Sequence, residues 1–219
     1  GSVYYIYNLF FSQIEIFISG LVKGFNFALG QLFSVDAEMF AKKFRVYETL
    51  YIAANFVVYT MMCLFLLPVI QIYTKNFTDA DYYIPPLILL FVIAKLVSCC
   101  KLPASQVIEY SGRFDETRWH AIVEMIINIT LSIVCILKWG ICGALAGTIA
   151  ALVFRYIVTV SFTSRKILKR SIMQSVSLLI GNGTLFAVIF LLFRTTHFCN
   201  MKFIPLCLQG LLHLLWIAP

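Results

Sequence analysis

Residues Trp119–Phe162 read WHAIVEMIINITLSIVCILKWGICGALAGTIAALVFRYIVTVSF, and this stretch decides the fold. Its first part, Ala121–Leu137, is apolar except for a few polar side chains, and its second part, Ile141–Phe162, carries one charge, Arg155. Apolar runs of about 17–25 residues are long enough to cross a hydrocarbon core of roughly 30 Å. The stretch therefore predicts two membrane-crossing helices joined by a tight turn at Lys138–Gly140.

The composition of the whole chain agrees with this reading. Of its 219 residues, 61% are hydrophobic and only 12% are charged, whereas a soluble domain is about 45–50% apolar and about 25% charged. The apolar runs are too long for the alternating strands of a membrane barrel. The sequence predicts an all-α polytopic membrane protein, a helical bundle of about six to seven transmembrane helices.

Apolar runs separated by polar connectors define seven candidate spans. The last of them is short and is interrupted by Gln209 and His213. The spans are Val3–Leu29, Tyr47–Tyr73, Ile84–Val107, Ala121–Leu137, Ile141–Phe162, Ile172–Phe193 and Phe203–Trp216.

Basic residues in the connectors predict the orientation, because cytoplasmic loops carry an excess of Lys and Arg. The alternate connectors hold ten such residues against four. Placing the richer set inside puts the start of the chain outside and its end in the cytoplasm, as a multi-pass protein of the cell (cytoplasmic) membrane. The net charge of +7 is then mostly a topology signal, and no nucleic-acid partner is expected.

Charged residues stand inside the first and third spans, among them Glu15, Lys23 and Lys95. Glu15 lies about 18 Å into the first span at roughly 1.5 Å per residue, where a carboxylate usually faces a bundle interior or a watery cavity. Two interpretations are open for Lys23 and Lys95, because a lysine can either snorkel to the membrane surface or face such a cavity. Gly20 and Gly24 permit close packing or a bend in the first span.

The connectors and some span ends carry further signals. Gln31–Glu48 has a helix-like charge pattern, which predicts an amphipathic helix at the inner surface with a solvated charged face. Pro68 is expected to kink the second span, and Pro85-Pro86 to start the third. Gly181–Gly183 predicts a kink in the sixth span.

The hairpin quoted above has a polar stripe and a ladder of small residues. Polar side chains recur every fourth residue along its first arm, which places them on one helix face. Small residues at the same spacing in its second arm let a neighbouring backbone approach closely. The stripe comprises His120, Glu124, Asn128 and Ser132, and the ladder comprises Gly143, Gly147 and Ala151.

Glu124 and Arg155 each lie about 15 residues from the predicted turn, so regular arms would place them at similar depth. We expect the two either to pair or to face one cavity. In the alternative reading they form a purely structural ion pair, without contact to any transported molecule.

Enzyme signatures are absent from the sequence, which contains none of GxSxG, HExxH or a P-loop. No catalytic residue, metal site or cofactor is therefore expected. The seven cysteines show no CxxC spacing, which favours small apolar residues in a bundle. Kinked spans with isolated buried charges instead suggest a transporter.

Three stretches resemble known transporters. Val3–Leu32 is similar to a span in the C-terminal half of polysaccharide flippases, and Gln71–Tyr82 looks like their outer loop. The strongest similarity, Glu109–Val158, follows a G-x-x-x-x-T turn, a polar-striped helix with an Asn, and then G-x-x-G-A-x-x-G-T. The chain thus resembles the O-antigen or capsule repeat-unit flippases, the oligosaccharide flippase branch of the MATE-like multidrug/oligosaccharidyl-lipid/polysaccharide exporter superfamily.

The resemblance implies a V-shaped protein of two similar lobes around a cavity. Residues 1–170 would belong to its C-terminal lobe, as about the eighth helix onward, and residues 171–219 would add C-terminal helices. The implied partners are the missing N-terminal lobe, membrane lipid, and possible contacts with a polysaccharide polymerase and glycosyltransferases. The implied substrate is an undecaprenyl-diphosphate-linked oligosaccharide, moved from the inner to the outer leaflet for capsule, O-antigen or exopolysaccharide synthesis.

The resemblance implies a substrate cavity whose residues act mainly through their charge. Cationic groups would attract the diphosphate, and carboxylates would couple the cycle to ions or protons. The set is Glu15, Lys23, Glu124, Asn128 and Arg155. Two other functions stay open: a cation-coupled multidrug exporter of the same superfamily, and a non-transporting membrane scaffold of polysaccharide assembly.

Overall fold

The computed structural model describes residues 2–74, 82 and 84–199, with side chains described for 3–74, 82 and 84–193. Every regular element in this part of the chain is a helix, and five helices are long and apolar enough to cross a membrane. The protein is therefore an all-α membrane protein. The elements are α1 (Ser2–Val35), α2 (Ala37–Tyr73), α3 (Pro85–Ser111), α4 (Phe114–Phe162), a π-helical turn (Thr163–Ile167) and α5 (Met173–Cys199).

Helix α4 is a hairpin. Its 49 residues would span ~74 Å if straight, at about 1.5 Å per residue. Gly140 breaks it with φ 56° and ψ −134°, a conformation that glycine adopts without the cost of a Cβ. The predicted turn is thus confirmed, and α4 contributes two antiparallel arms. Six of the seven predicted spans now have a helical counterpart, whereas Phe203–Trp216 lies outside the described residues.

The two arms of α4 touch through the predicted small residues. A Cβ added to Gly143 would overlap the carbonyl oxygen of Cys135, and one added to Gly147 would overlap the backbone of Ser132. These contacts step outward from the turn on both arms. The small-residue ladder therefore lets the arms of one hairpin approach each other, and Ala151 further along it is 1% exposed.

The connection between α1 and α2 differs from the predicted amphipathic helix over Gln31–Glu48. Helix α1 continues to Val35, and the single residue Asp36 separates it from α2. The Asp36 carboxylate accepts a hydrogen bond of 2.9 Å from the Met39 backbone N–H, which satisfies a free donor of the first turn of α2. A capped helix start at Asp36 therefore replaces the separate surface helix.

Helix α3 lies at the centre and contacts α1, α2, α4 and the π-helical turn. Pro85 begins it, as predicted, and Gly112 ends it with φ 67°. Its N-terminal half packs against α1 through rings, with Phe91 and Phe11 stacked at 5.2 Å between centroids. The Tyr7 hydroxyl donates to the Tyr82 carbonyl oxygen at 2.8 Å. Aromatic packing and this hydrogen bond join the N-terminal ends of α1 and α3.

The structure also bears on the kinks and the close packing that were predicted at other prolines and glycines. Helix α2 runs through Pro68, and α5 runs through Gly181–Gly183, so any kink at these sites stays within a continuous helix. An added Cβ at Gly20 or Gly24 would meet no described atom within 4 Å. Within the described chain, these two glycines therefore do not mediate close packing.

Replacing Gly143 by Ala should destabilise the hairpin, because the new methyl group has no space beside Cys135. Overpacking costs about 1–3 kcal/mol, and we expect a loss of that size in reversible unfolding in mixed micelles. Gly181→Ala is the matched control, since its Cβ meets open space and alanine favours a helix. Equal stability of the two variants would contradict the packing of the arms.

Candidate functional site

The first ion pair between the apolar helices joins α1 and α3. Lys95 Nζ lies 2.5 Å from Glu15 Oε2, and the two side chains are 20% and 44% exposed. Glu15 thus faces the bundle, as its depth in the span suggested. Lys95, for which both a surface anchor and an interior residue were considered, is the partner of Glu15.

Glu15 also lines a small cavity of about 110 Å³ between α1, α2 and α3. Most of its other lining groups are hydroxyls, and one is a thiol: Ser19, Tyr51, Tyr59, Ser98 and Cys99. A cavity of this size has room for water. The carboxylate therefore lies at a small cavity with several hydroxyl-bearing residues around it, beside its lysine.

The second cluster lies on the other side of α3. Glu124 Oε2 is 3.7 Å from Arg155 Nε, and Glu124 Oε1 is 3.8 Å from Lys101 Nζ. All three side chains are about one-fifth exposed. The pairing of Glu124 with Arg155 agrees with the equal-depth argument. Lys101 was not predicted as a member, although its place near the end of an apolar run was visible in the sequence.

This cluster carries more positive than negative charge. One carboxylate serves two cations, and Arg155 Nη1 is buried without a hydrogen-bond partner in the described part of the chain. His120 Nδ1 from the same polar stripe is buried and unpaired there as well. An arginine with an uncommitted N–H group beside a second cation is suited to an anion such as a carboxylate or phosphate.

Asn128 lies within the hairpin. Its carboxamide oxygen accepts hydrogen bonds from the Ser132 hydroxyl at 3.0 Å and the Thr148 hydroxyl at 3.2 Å. The stripe predicted along the first arm therefore does share one face, and that face meets the second arm. Asn128 was proposed as a cavity residue, and the structure places its oxygen in contacts between the arms.

Lys23 lies apart from both clusters. Its side chain is exposed on α1, and no ion pair or hydrogen bond joins it to another described residue. The structure thus brings together Glu124 and Arg155 of the predicted set, and it places Glu15 on the opposite side of α3. Lys23 belongs to neither group in the described part.

A third cluster corrects a prediction. Glu48 was assigned to a solvated face, but it is 3% exposed. Arg170 Nη2 donates to Glu48 Oε2 at 2.6 Å, and the Ser175 hydroxyl donates to Oε1 at 2.7 Å. Arg170 also lies over the ring of Phe44 at 5.3 Å. This network ties the α4–α5 connection to α2 at the predicted inner end of the bundle.

The sequence held a signal for the burial of Glu48. Helical spacing places it on one face with four residues that are all buried: Phe40, Phe44, Tyr51 and Asn55. The neighbouring charges led to the prediction that Glu48 is exposed to solvent, although the helical spacing of the apolar residues favoured a buried position. A carboxylate on a buried aromatic face requires a cation, and Arg170 supplies it.

Metal and thiol chemistry have little support in the described residues. They contain no group of three or more His, Cys, Asp or Glu side chains that could hold a metal ion. Cys63, Cys99, Cys100, Cys135 and Cys142 are free thiols. The charged clusters are therefore the features of the described bundle that merit a functional interpretation.

Comparisons with protein-family models, curated proteins and solved structures find no match to this chain. The class that fold and site define is a helical membrane protein with ion pairs held between its apolar helices. Anything finer about its activity depends on the chemistry of those pairs and on the sequence resemblance.

Neutralising Glu124 and neutralising Arg155 of the second cluster should have unequal effects. Glu124→Gln leaves both Lys101 and Arg155 without a carboxylate, whereas Arg155→Gln leaves Lys101 paired with Glu124. Breaking a buried pair costs about 3–5 kcal/mol, and with one-fifth exposure we expect about 3 for Glu124→Gln and less for Arg155→Gln. Unfolding in mixed micelles measures both. A larger loss for Arg155→Gln would contradict a shared carboxylate.

Removing Arg170, the counter-ion of Glu48, should destabilise the protein more than removing another arginine of the same connection. Arg170→Gln leaves the 4%-exposed Glu48 side chain without its counter-ion, a loss of about 3–5 kcal/mol by the same rule. Arg165→Gln is the control, because Arg165 is exposed and has no described ion-pair partner. Limited proteolysis between α4 and α5 should accelerate in Arg170→Gln alone.

Proposed function

We propose that this chain is part of a membrane transporter that flips undecaprenyl-diphosphate-linked oligosaccharide repeat units across the cytoplasmic membrane. The observation that carries the proposal is the Lys101–Glu124–Arg155 cluster inside the apolar helices. Ionisable residues in membrane spans are costly, and they commonly mark a substrate or ion pathway. A cluster with excess positive charge suits a diphosphate.

The proposed cycle assigns each group by its charge. Arg155 and Lys101 attract the diphosphate, and Glu124 competes with it for both cations. Glu124 is therefore one candidate for coupling substrate binding to ions or protons. Glu15, at its small cavity, is the second candidate. This chain and an N-terminal lobe would rock to open a shared cavity to either side in turn.

Support also comes from the fold and from sequence similarity. The all-α bundle with five helices of spanning length is compatible with a lobe of such a transporter. The hairpin that carries Glu124 and Arg155 is also the stretch with the strongest resemblance to repeat-unit flippases. The charge cluster is the basis of the proposal.

Two alternatives have their own support. A cation-coupled multidrug exporter would use Glu15, whose carboxylate lies at a small cavity and could bind a proton or a small cation. A non-transporting scaffold of polysaccharide assembly is favoured by the pairing of Glu15 and Glu124 with cations of the same chain. To distinguish these functions, a variant must keep the ion pair between residue 155 and Glu124 and change only how the cation binds a ligand.

Arg155→Lys is that variant, tested in the strain that carries the gene. Lysine keeps the positive charge beside Glu124 but lacks the planar fork that binds phosphate oxygens in pairs. Losing one charged hydrogen bond of about 1.5 kcal/mol should lower surface polysaccharide export roughly tenfold. Protein abundance and thermal stability should stay near those of the parent.

The control is Arg113→Lys, at an exposed arginine before α4, which should leave export unchanged. Normal export in Arg155→Lys together with normal stability would contradict phosphate binding and favour the scaffold. Unchanged polysaccharide with altered drug resistance would favour the exporter.

A further inference from the structure

An open groove of about 790 Å³ runs between α1 and α2. Its walls are almost entirely apolar, and much of the lining on both helices is exposed, including Phe17, Leu21 and Phe25 on α1 and Val46 and Leu50 on α2. None of its lining residues belongs to the three ion-pair clusters, although it shares Ile18 and Tyr51 with the wall of the Glu15 cavity. A site of this kind takes a ligand that is apolar along most of its length.

The groove has the length of one leaflet. Along α2 it extends from Lys43 to Val58, a distance of ~22 Å at about 1.5 Å per residue. Half of a bilayer with its headgroup layer measures roughly 20–22 Å. With Lys43 at the headgroup level, Val58 reaches the bilayer centre, so the groove matches a single lipid of one leaflet.

The end of the groove carries an uncommitted cation. Lys43 lines it, and no carboxylate or hydrogen-bond acceptor contacts Lys43 in the described residues. The adjacent Lys42, by contrast, pairs with Glu38 at 2.8 Å. The loop charges predict that this end faces the cytoplasm, where the leaflet is rich in anionic lipids.

We propose that the α1–α2 groove binds one acidic phospholipid of the cytoplasmic leaflet. Its acyl chain lies along Leu21 and Leu50, and its phosphate rests on Lys43. The apolar walls alone would also fit a second copy of this chain, and the uncommitted cation of Lys43 favours an acidic lipid. This lipid is a structural partner of the bundle, whatever molecule the protein transports.

The test uses the protein in vesicles that contain phospholipid with a photoactivatable acyl chain, under either an acidic phosphatidylglycerol or a neutral phosphatidylcholine headgroup. Mass spectrometry then locates the labelled residues. One lysine near the membrane surface is worth about fivefold in binding an acidic lipid. Groove residues such as Ala54 should therefore be labelled about fivefold more by the acidic lipid.

Lys43→Gln should remove that preference, and Lys42→Gln should retain it. Ala54→Trp, which fills the groove, should reduce labelling by both lipids, whereas Ala150→Trp on the exposed face of α4 should not. Equal labelling by the two headgroups would overturn the proposal. A disulfide between two copies carrying Ala54→Cys, with no lipid label in the groove, would also overturn it and would identify a dimer contact.

Discussion

The cost of holding a charge between apolar helices governs this structure. Desolvating one ion costs several kcal/mol, and only a partner with good geometry offsets it. Glu15, Glu48 and Glu124 each meet a basic side chain from another segment of the chain. Because a buried carboxylate without its cation is so unfavourable, each pair restricts how two segments can rotate and slide against each other.

Helix α3 is central to this arrangement. It presents Lys95 to α1 and Lys101 to α4. Six residues apart at about 3.6 residues per turn, the two lysines point in directions roughly 120° apart. One helix can therefore neutralise a carboxylate on each of two neighbours. The Glu15 cavity and the Glu124 cluster are separate for the same reason, since the body of α3 lies between them.

Inside a membrane the hydrophobic effect gives little driving force for helices to associate, because lipid tails are as apolar as the side chains. Other interactions must therefore hold the two arms of α4 together. Its first arm exposes Ile126, Ile129 and Ile133, as expected for a lipid-facing surface. Close backbone approach at Gly143 and the hydrogen bond from the Thr148 hydroxyl to the Asn128 oxygen join the arms instead. Small residues and polar contacts are the usual means of helix association in membranes. The groove between α1 and α2, by contrast, stays open.

Much of the fold followed from local patterns. Apolar length predicted the spans, the turn at Gly140 followed from the break between two runs, and the depth of Glu124 and Arg155 followed from counting residues away from that turn. These inferences succeed because helical rise is regular and a hairpin has a single way to fold back. Sequence also placed Glu15 within the bundle, since a carboxylate deep in a span needs a polar environment.

Partners distant in the chain were decided only by tertiary packing. Lys95 is 80 residues from Glu15, and Arg170 is 122 from Glu48. Sequence shows how deep each charge lies, but whether two charges meet depends on which helices are neighbours and on the rotation of each about its axis. Close packing sets that rotation, and it placed Lys101 beside Glu124 and buried Glu48.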